Sequence, residues 1–391
     1  MAVDFSNTEV AFKSKSDREL KKAYWLFKMV ASPTVVNVGE SLTNFALACR
    51  LPIRWAVKPT IFSQFCGGET IDECDLKIKQ LEENNIGTIL DYSLEGKNTD
   101  DSLNATTAEV LETIKKAKDT PSIPFAVFKP SGIGKFEVLE MANESEGKLI
   151  DEESKLDYSL FEERMDRIFS LGHELGVSVF VDAEDSWIQD SIDRVTERMM
   201  EKYNKDRAIV VTTVQMYRWD RLDYLRDLYQ RAKEKGFKVG VKLVRGAYME
   251  KERERAAEKG YQDPIQANKE ATDRDYDLAL KYCIERLDVF EVCAGSHNEK
   301  SANVLVDLLE ENNIHKADNR VYFAQLLGMS DHISFNLAAN GYNVAKYVPY
   351  GPVRDVMPYL IRRAQENTSV AGQTGRELKL ISQELERRKK S

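Results

Sequence analysis

The residues best placed to act on a small anion stand in the segment N-V-A-K-Y-V-P-Y-G-P-V-R-D-V-M-P-Y-L-I-R-R-A-Q-E-N, Asn343 to Asn367. Arg362 and Arg363 are adjacent, and Glu366 follows four and three residues later. On a helix these three gather on one face, while Val356, Leu360 and Ala364 line another. A guanidinium presents a planar fork of N–H donors, so a double fork steadied by its own carboxylate suits a small carboxylate. The plainer reading is a solvated helix face whose ion pair is worth ~0.3–0.5 kcal/mol. Asp355 is a good N-cap and Pro358 fits only a first turn, so the helix is expected to start near Asp355.

Three further segments carry chemistry. V-K-L-V-R-G-A-Y (Val241–Tyr248) ends an apolar run with a basic pair, then small residues that admit a ligand close to the backbone. G-S-H-N (Gly295–Asn298) opens a helix, where free amides and the helix dipole suit phosphate. Asp182 and Lys129 end two successive apolar runs and are placed to pair. Together these favour a phosphate-bearing cofactor and a small anionic substrate.

The elements that must position them follow from patterning. Eight short apolar runs recur, at 86–93, 124–129, 177–184, 208–215, 237–246, 289–297, 321–328 and 344–349. Amphipathic helical stretches separate them, including 158–175, 187–203, 220–235, 264–287 and 298–312. Continuous apolar runs are what parallel strands under helices require. Eight such units predict an α/β fold, a (β/α)8 TIM-type barrel, over residues 86–375. A doubly wound open sheet is the competitor, but no G-x-G-x-x-G occurs. In a barrel the strand ends ring the mouth, here Asp91, Lys129, Asp182 with Glu184, Gln215 with Tyr217, Lys242 with Arg245, His297, Gln325 and Tyr347.

Residues 1–85 read as a helical arm, with helices over 15–31, 41–55 and about 71–81 and Pro33, Pro52 and Pro59 between them. Residues 376–391 read as a terminal helix whose apolar stripe (Leu378, Ile381, Leu385) packs on its own protein or touches a membrane surface. The charged segment 132–157 is expected as a mobile loop over the mouth or a surface excursion. In bulk, 56 basic against 65 acidic residues leave a charge of −9 in a chain of 391, which argues against a nucleic-acid partner. Five scattered cysteines form no CxxC, four histidines form no paired ligand spacing, and no metal is expected. No run of about 18 apolar residues occurs, and the start lacks a signal core, so a bacterial cytoplasm is expected.

The segments F-K-P-S-G (128–132), V-D-A-E-D-S-W (181–187), V-K-L-V-R-G-A-Y-M-E-K-E-R (241–253), G-S-H-N (295–298) and Y-V-P-Y-G…Y-L-I-R-R-A-Q-E-N (347–367) resemble the proline dehydrogenase family, in its order. The resemblance implies a barrel binding FAD non-covalently and oxidising L-proline to Δ1-pyrroline-5-carboxylate, by hydride transfer from proline C5 to flavin N5. It implies that Arg362 and Arg363 hold the proline carboxylate, with Lys129, and that Glu366 orients the arginines. It implies that Tyr347 and Tyr248 wall the pyrrolidine ring, and that Asp182 and Ala183 lie next to substrate and flavin. Gln215, Lys242, Val244, Arg245, Gly246 and Ala247 are implied to line the flavin, and Thr272, Ser296, His297 and Asn298 the rest of FAD.

Many bacterial members carry arginine where Lys242 stands, and lysine offers a point charge rather than a fork. The hydroxyproline-specific branch carries a smaller residue than Tyr347, so Tyr347 favours proline. Family members pass electrons to membrane quinone, which implies an acceptor of that kind and peripheral contact with the inner membrane. No aldehyde dehydrogenase module follows, so a separate pyrroline-5-carboxylate dehydrogenase is the expected partner. Two other classes compete: a Schiff-base aldolase using Lys129 or Lys242, and a non-catalytic proline sensor.

Overall fold

The apolar runs become parallel strands. The computed structural model describes residues 3–49, 52–93, 98–149, 151–369 and 373–390. Its strands are β1 (Ile86–Tyr92), β2 (Phe125–Phe128), β3 (Ser178–Val181), β4 (Val210–Gln215), β5 (Val239–Val244), β6 (Phe290–Gly295), β7 (Val321–Leu326) and β8 (Val344–Tyr350). They close in sequence order into one barrel, which excludes the open sheet.

The first helices are α1 (Thr8–Phe12), α2 (Asp17–Val30), α3 (Pro33–Ala48), α4 (Arg54–Val57), α5 (Ser63–Phe65) and α6 (Asp75–Glu82). Between the strands lie α7 (Asp100–Asp119), α8 (Phe136–Glu144), α9 (Glu152–Leu175), α10 (Ser186–Tyr203), α11 (Arg221–Lys235), α12 (Met249–Lys259), α13 (Lys269–Ile284), α14 (Glu299–Glu311) and α15 (Asp331–Ala339). After β8 come α16 (Met357–Ser369) and α17 (Gln373–Lys390). Local chemistry sets many ends. Asn298 accepts from the amides of Lys300 and Ser301 and so starts α14. Gly176, Gly236 and Gly260 end α9, α11 and α12 in the left-handed conformation.

By their contacts the residues fall into two compact units, Met1–Ala2 with Gly96–Ala324, and Val3–Glu95 with Gln325–Ser391. In the first, β3 and β4 are buried along their whole length, as parallel strands covered on both faces must be. Phe125 of β2 stacks on Phe180 of β3 at 4.4 Å and meets Tyr322 of β7 edge-on at 4.8 Å. In the second, β1 pairs with β8 from Ile86↔Val344 to Tyr92↔Tyr350. A separate core joins Leu20 and Phe27 of α2, Val356, Met357 and Leu360 around the start of α16, and Leu380 and Ile381 of α17.

Three expectations change, and a fourth is decided between its two alternatives. The helix expected over 41–55 is α3, which ends at Ala48 and begins at Pro33, because proline's missing N–H costs nothing in a first turn. Residues 132–157 are not a loop but hold α8 and the start of α9. Leu139 and Ala142 of α8 are fully buried, and Asn143 accepts from the Ser191 amide at 2.9 Å. The helix expected from Asp355 begins at Met357, which still leaves Pro358 in the first turn. The terminal helix buries its stripe in the core of its own unit.

Lys346, in the middle of β8, is fully buried. Its ammonium donates to the carbonyls of Met329 at 2.6 Å and Leu326 at 3.2 Å and pairs with Asp331 at 2.9 Å. Asp331 also pairs with Lys15 at 2.7 Å. Burial alone would raise the Asp331 carboxyl, but the two ammonium groups hold it far below the usual carboxylate range. A depressed acid stabilises the fold above its ordinary range and loses that contribution as pH falls. Asp331→Asn is therefore expected to cost about 3–5 kcal/mol at neutral pH, since it takes the counter-charge from the buried Lys346 and from the half-buried Lys15. Thermal melts should show the gap to wild type narrowing in acid.

Candidate active site

The ends of β2 to β6 carry polar side chains of the first unit, and several are held by their neighbours. Lys242, 5% exposed, points its ammonium at Asp182 just beyond β3, and the two form an ion pair. The same ammonium lies 5.5 Å from the centre of the Phe180 ring. Next to it on β6, the Cys293 thiol is pushed up to about 12 by burial, against the pull of Lys242. Two charges so enclosed are fixed in place, because neither can leave the other without stranding it.

Arg245, just past β5, uses its whole fork. It donates to Asp273 at 2.7 Å, to the Ser296 hydroxyl at 2.8 Å and to the Ser301 hydroxyl at 2.9 Å, and lies 4.4 Å over the Tyr276 ring. Ser301 in turn donates to Asp277 at 2.6 Å. One guanidinium thus binds the end of β5 to α13 and to the turn before α14. Gly246 follows at φ +135°, and a Cβ there would stand 2.5 Å from the Tyr217 ring, so only glycine fits.

At the start of α14 the Ser296 hydroxyl accepts from the Asn298 amide at 3.1 Å, and Asn298 takes the amides of Lys300 and Ser301. Donors that make a helix start attractive to phosphate are therefore satisfied by the protein, and the nearby Arg245 cation supplies the attraction for an anion. Thr272 sits one turn into α13, its hydroxyl facing the Asn268 carbonyl at 3.4 Å. Ala183 and Val244 are half-buried, and Ala247 is exposed.

Gln215 ends β4 and is buried, yet its Oε1 has no hydrogen-bond partner among the described residues. A buried amide oxygen left so costs about 1–3 kcal/mol. That orphan, beside a fixed ammonium and a close-approach glycine, fits a polar cofactor that donates a hydrogen bond there.

Two carboxylates brace the loops. Glu184 accepts from the Ser131 amide at 2.7 Å and the Ser131 hydroxyl at 2.5 Å. Glu252 of α12 treats Ser186 the same way, at 2.7 and 2.5 Å, and so caps α10 from outside its own sequence. Tyr248 stands at the start of α12, and Lys251 of that helix lies over the Trp187 ring at 5.0 Å and pairs with Asp185 at 2.7 Å.

In the second unit Tyr347 is a buried residue of β8, and Gln325 of β7 accepts from the Ser334 hydroxyl at 2.8 Å. Arg362 and Arg363 are consecutive on α16, half-buried and buried respectively. The Arg363 guanidinium lies 5.3 Å from the Tyr359 ring one turn earlier. The Glu366 side chain, expected to steady them, lies outside the described residues.

The structure thus joins Asp182 to Lys242, and Arg245 to Ser296. Asp182 finds its cation two strands away, at Lys242. Sequence reading missed Asp273, Tyr276, Asp277 and Ser301 around Arg245. The i, i+4 pair of Asp273 and Asp277 facing the S-H-N turn was the available signal. It also missed Ser131 and Glu252, whose roles depend on distant partners.

A sequence profile of the proline dehydrogenase family matches residues 74–376. The carbapenem antibiotics biosynthesis protein CarD of Pectobacterium carotovorum subsp. carotovorum is 37% identical over 93% of this chain and 94% of its own length. Proline dehydrogenase 1, mitochondrial, of Dictyostelium discoideum is 31% identical over 98% of this chain and 74% of its own length. Proline utilization A from Bdellovibrio bacteriovorus, solved after inactivation by N-propargylglycine, shares the fold with a TM-score of 0.73 at 22% identity. That likeness covers 93% of this chain, which spans 38% of the longer protein. By the profile and by the relatives that match along most of their length, the chain belongs to the proline dehydrogenase family.

Proposed function

We propose that this chain oxidises L-proline to Δ1-pyrroline-5-carboxylate with FAD as its cofactor. Enzymes of the family depend on FAD, which when bound supplies the hydride acceptor. The observation that carries the reading is the polar set at the ends of β4 and β5, where the Gln215 acceptor stands without a partner beside Lys242 and Arg245. Lys242 and Arg245 offer positive charge to a cofactor that becomes more negative on reduction. Gln215 receives a hydrogen bond from it, and Gly246 lets it approach the backbone. Val244, Ala183 and Ala247 line it, while Thr272, Ser296, His297 and Asn298 serve its phosphate-bearing part.

For the substrate, Arg362 and Arg363 take the carboxylate, and Lys129 contributes a further cation. A rigid grip on the carboxylate fixes the reacting carbon. Tyr347 and Tyr248 present aromatic walls to the ring and exclude water. Asp182 holds Lys242 in place. That ion pair also disfavours the aldolase reading for Lys242, since a Schiff base needs a free amine and this one is tied to a carboxylate.

A membrane quinone is the proposed acceptor, and a separate pyrroline-5-carboxylate dehydrogenase the proposed consumer of the product. We place the protein in a bacterial cytoplasm with peripheral contact at the inner membrane. Among the described residues no helix is long and apolar enough to cross a membrane.

Anaerobic addition of proline should bleach the bound flavin, and a spectrum that stays unchanged refutes the proposal. Arg363→Met is expected to raise KM for proline by roughly tenfold or more with FAD retained, the loss of a charge-assisted contact. Tyr347→Ser should shift the ratio of kcat/KM for 4-hydroxyproline over proline upward by roughly one order of magnitude. Gln215→Leu should stabilise the flavin-free protein by about 1 kcal/mol, because it removes an unpaired acceptor, and weaken FAD. Thermal melts of the apoprotein and a flavin titration check the two halves.

A further inference from the structure

We infer that Glu184 is a positioning residue for Lys129, because its carboxylate pins the turn that begins at Lys129 and faces the Lys129 ammonium with a counter-charge. The inference rests on the proposed role of Lys129 in holding the substrate.

Lys129 immediately precedes a tight 3-10 turn, Pro130–Gly132, closed by bonds from the Gly132 amide to the Lys129 carbonyl at 2.9 Å and from Ile133 to Pro130 at 3.0 Å. Glu184 grips the middle of that turn. One carboxylate oxygen takes the Ser131 amide and the other the Ser131 hydroxyl, so the turn has no freedom to rotate about a single bond. Glu184 is held from behind as well. Its own amide donates to Gln189 at 2.8 Å, Gln189 donates to Asp193 at 2.8 Å, and Asp193 accepts from Arg221 at 2.9 Å. A buried relay thus runs from α11 through α10 to the Lys129 turn, and all its members lie in one compact unit.

The charged groups facing Glu184 are Lys129 from the end of β2 and Asp185 from its own loop. Asp185 is paired with Lys251 of α12 at 2.7 Å. Burial pushes the Glu184 carboxyl up to about 7, against its bonds to Ser131 and the attraction of Lys129. Protonation leaves the clamp in place, because the Ser131 hydroxyl can turn from donor to acceptor. What protonation removes is the charge facing Lys129. Glutamine reproduces that neutral, still-clamped state.

The test is proline oxidation by the FAD-loaded protein between about pH 6 and about pH 8.5, the window in which a carboxyl near 7 changes charge. Glu184→Gln should match wild type in kcat/KM at the acid end. At the alkaline end it should fall roughly tenfold, the scale of one hydrogen-bonded charge. The ratio of the two profiles cancels titrations that both proteins share. Ser131→Ala, which loosens the clamp itself, should lower kcat/KM at every pH. In a Lys129→Met background both changes should lose their effect.

Flavin content and melting temperature serve as the folding control. A buried carboxyl raised in this way stabilises the fold below the ordinary carboxylate range and loses that contribution as pH rises through about 7. Glu184→Gln should therefore melt no lower than wild type at the alkaline end. A flat ratio, a ratio of opposite sense, or full additivity with Lys129→Met overturns the inference. If Glu184→Gln does not fold, additivity of Ser131→Ala with Lys129→Met overturns it alone. If wild type does not oxidise proline, the reading above falls, and the inference with it.

Discussion

A charge enclosed at the end of a parallel strand must be matched where it stands, and much of the mouth of this barrel is arranged to satisfy that demand. Lys242 cannot be hydrated on β5, so Asp182 comes to it from β3. Arg245 cannot swing, because Asp273, Ser296 and Ser301 hold three sides of its fork and Tyr276 its face. The loops that bear these groups are therefore fixed by electrostatics rather than by apolar packing. A site of this kind is preorganised before any ligand enters, which is what stabilising a developing charge requires.

The same demand explains the repeated carboxylate-on-serine brace. Glu184 with Ser131 and Glu252 with Ser186 each satisfy an amide and a hydroxyl at once. Each links a loop to another element that is remote in sequence, so the mouth behaves as one lattice of short bonds. Gln215 departs from this pattern, an acceptor without a partner among the described residues. Thr213 of the same strand and Tyr217 just past it also carry buried oxygens without a partner among the described residues, so the unmet hydrogen-bonding capacity gathers around β4.

The eight strands were legible because strands covered on both faces read as unbroken apolar runs. Asn298 marked a helix start by its own backbone chemistry. What stayed hidden depends on partners far away in the chain. Lys346 lies inside the apolar run V-A-K-Y-V-P with no local sign of a partner, and its burial becomes intelligible only once Asp331 stands beside it. The segment 132–157 reads as a loop by charge, yet Leu139 and Ala142 had enough apolar surface to bury a helix. Pro33 reads as an interruption between helices and is instead a first-turn residue. The twin arginines stand out by residue type and spacing, since both features are local, while the carboxylate role proposed for them rests on the family resemblance.

The second core has a bearing on synthesis. Leu20 and Phe27 of α2 are buried with Leu360 of α16 and Leu380 and Ile381 of α17. A nascent chain therefore emerges with the apolar face of α2 only partly covered, by Phe65 among others, and it lacks its partners on α16 and α17 while every strand of the barrel is being made. β1 waits similarly, since its pairing with β8 from Ile86↔Val344 onward cannot form until residue 344 has left the ribosome. The order of translation thus sets a long interval in which early apolar helices must be shielded by something other than their final partners.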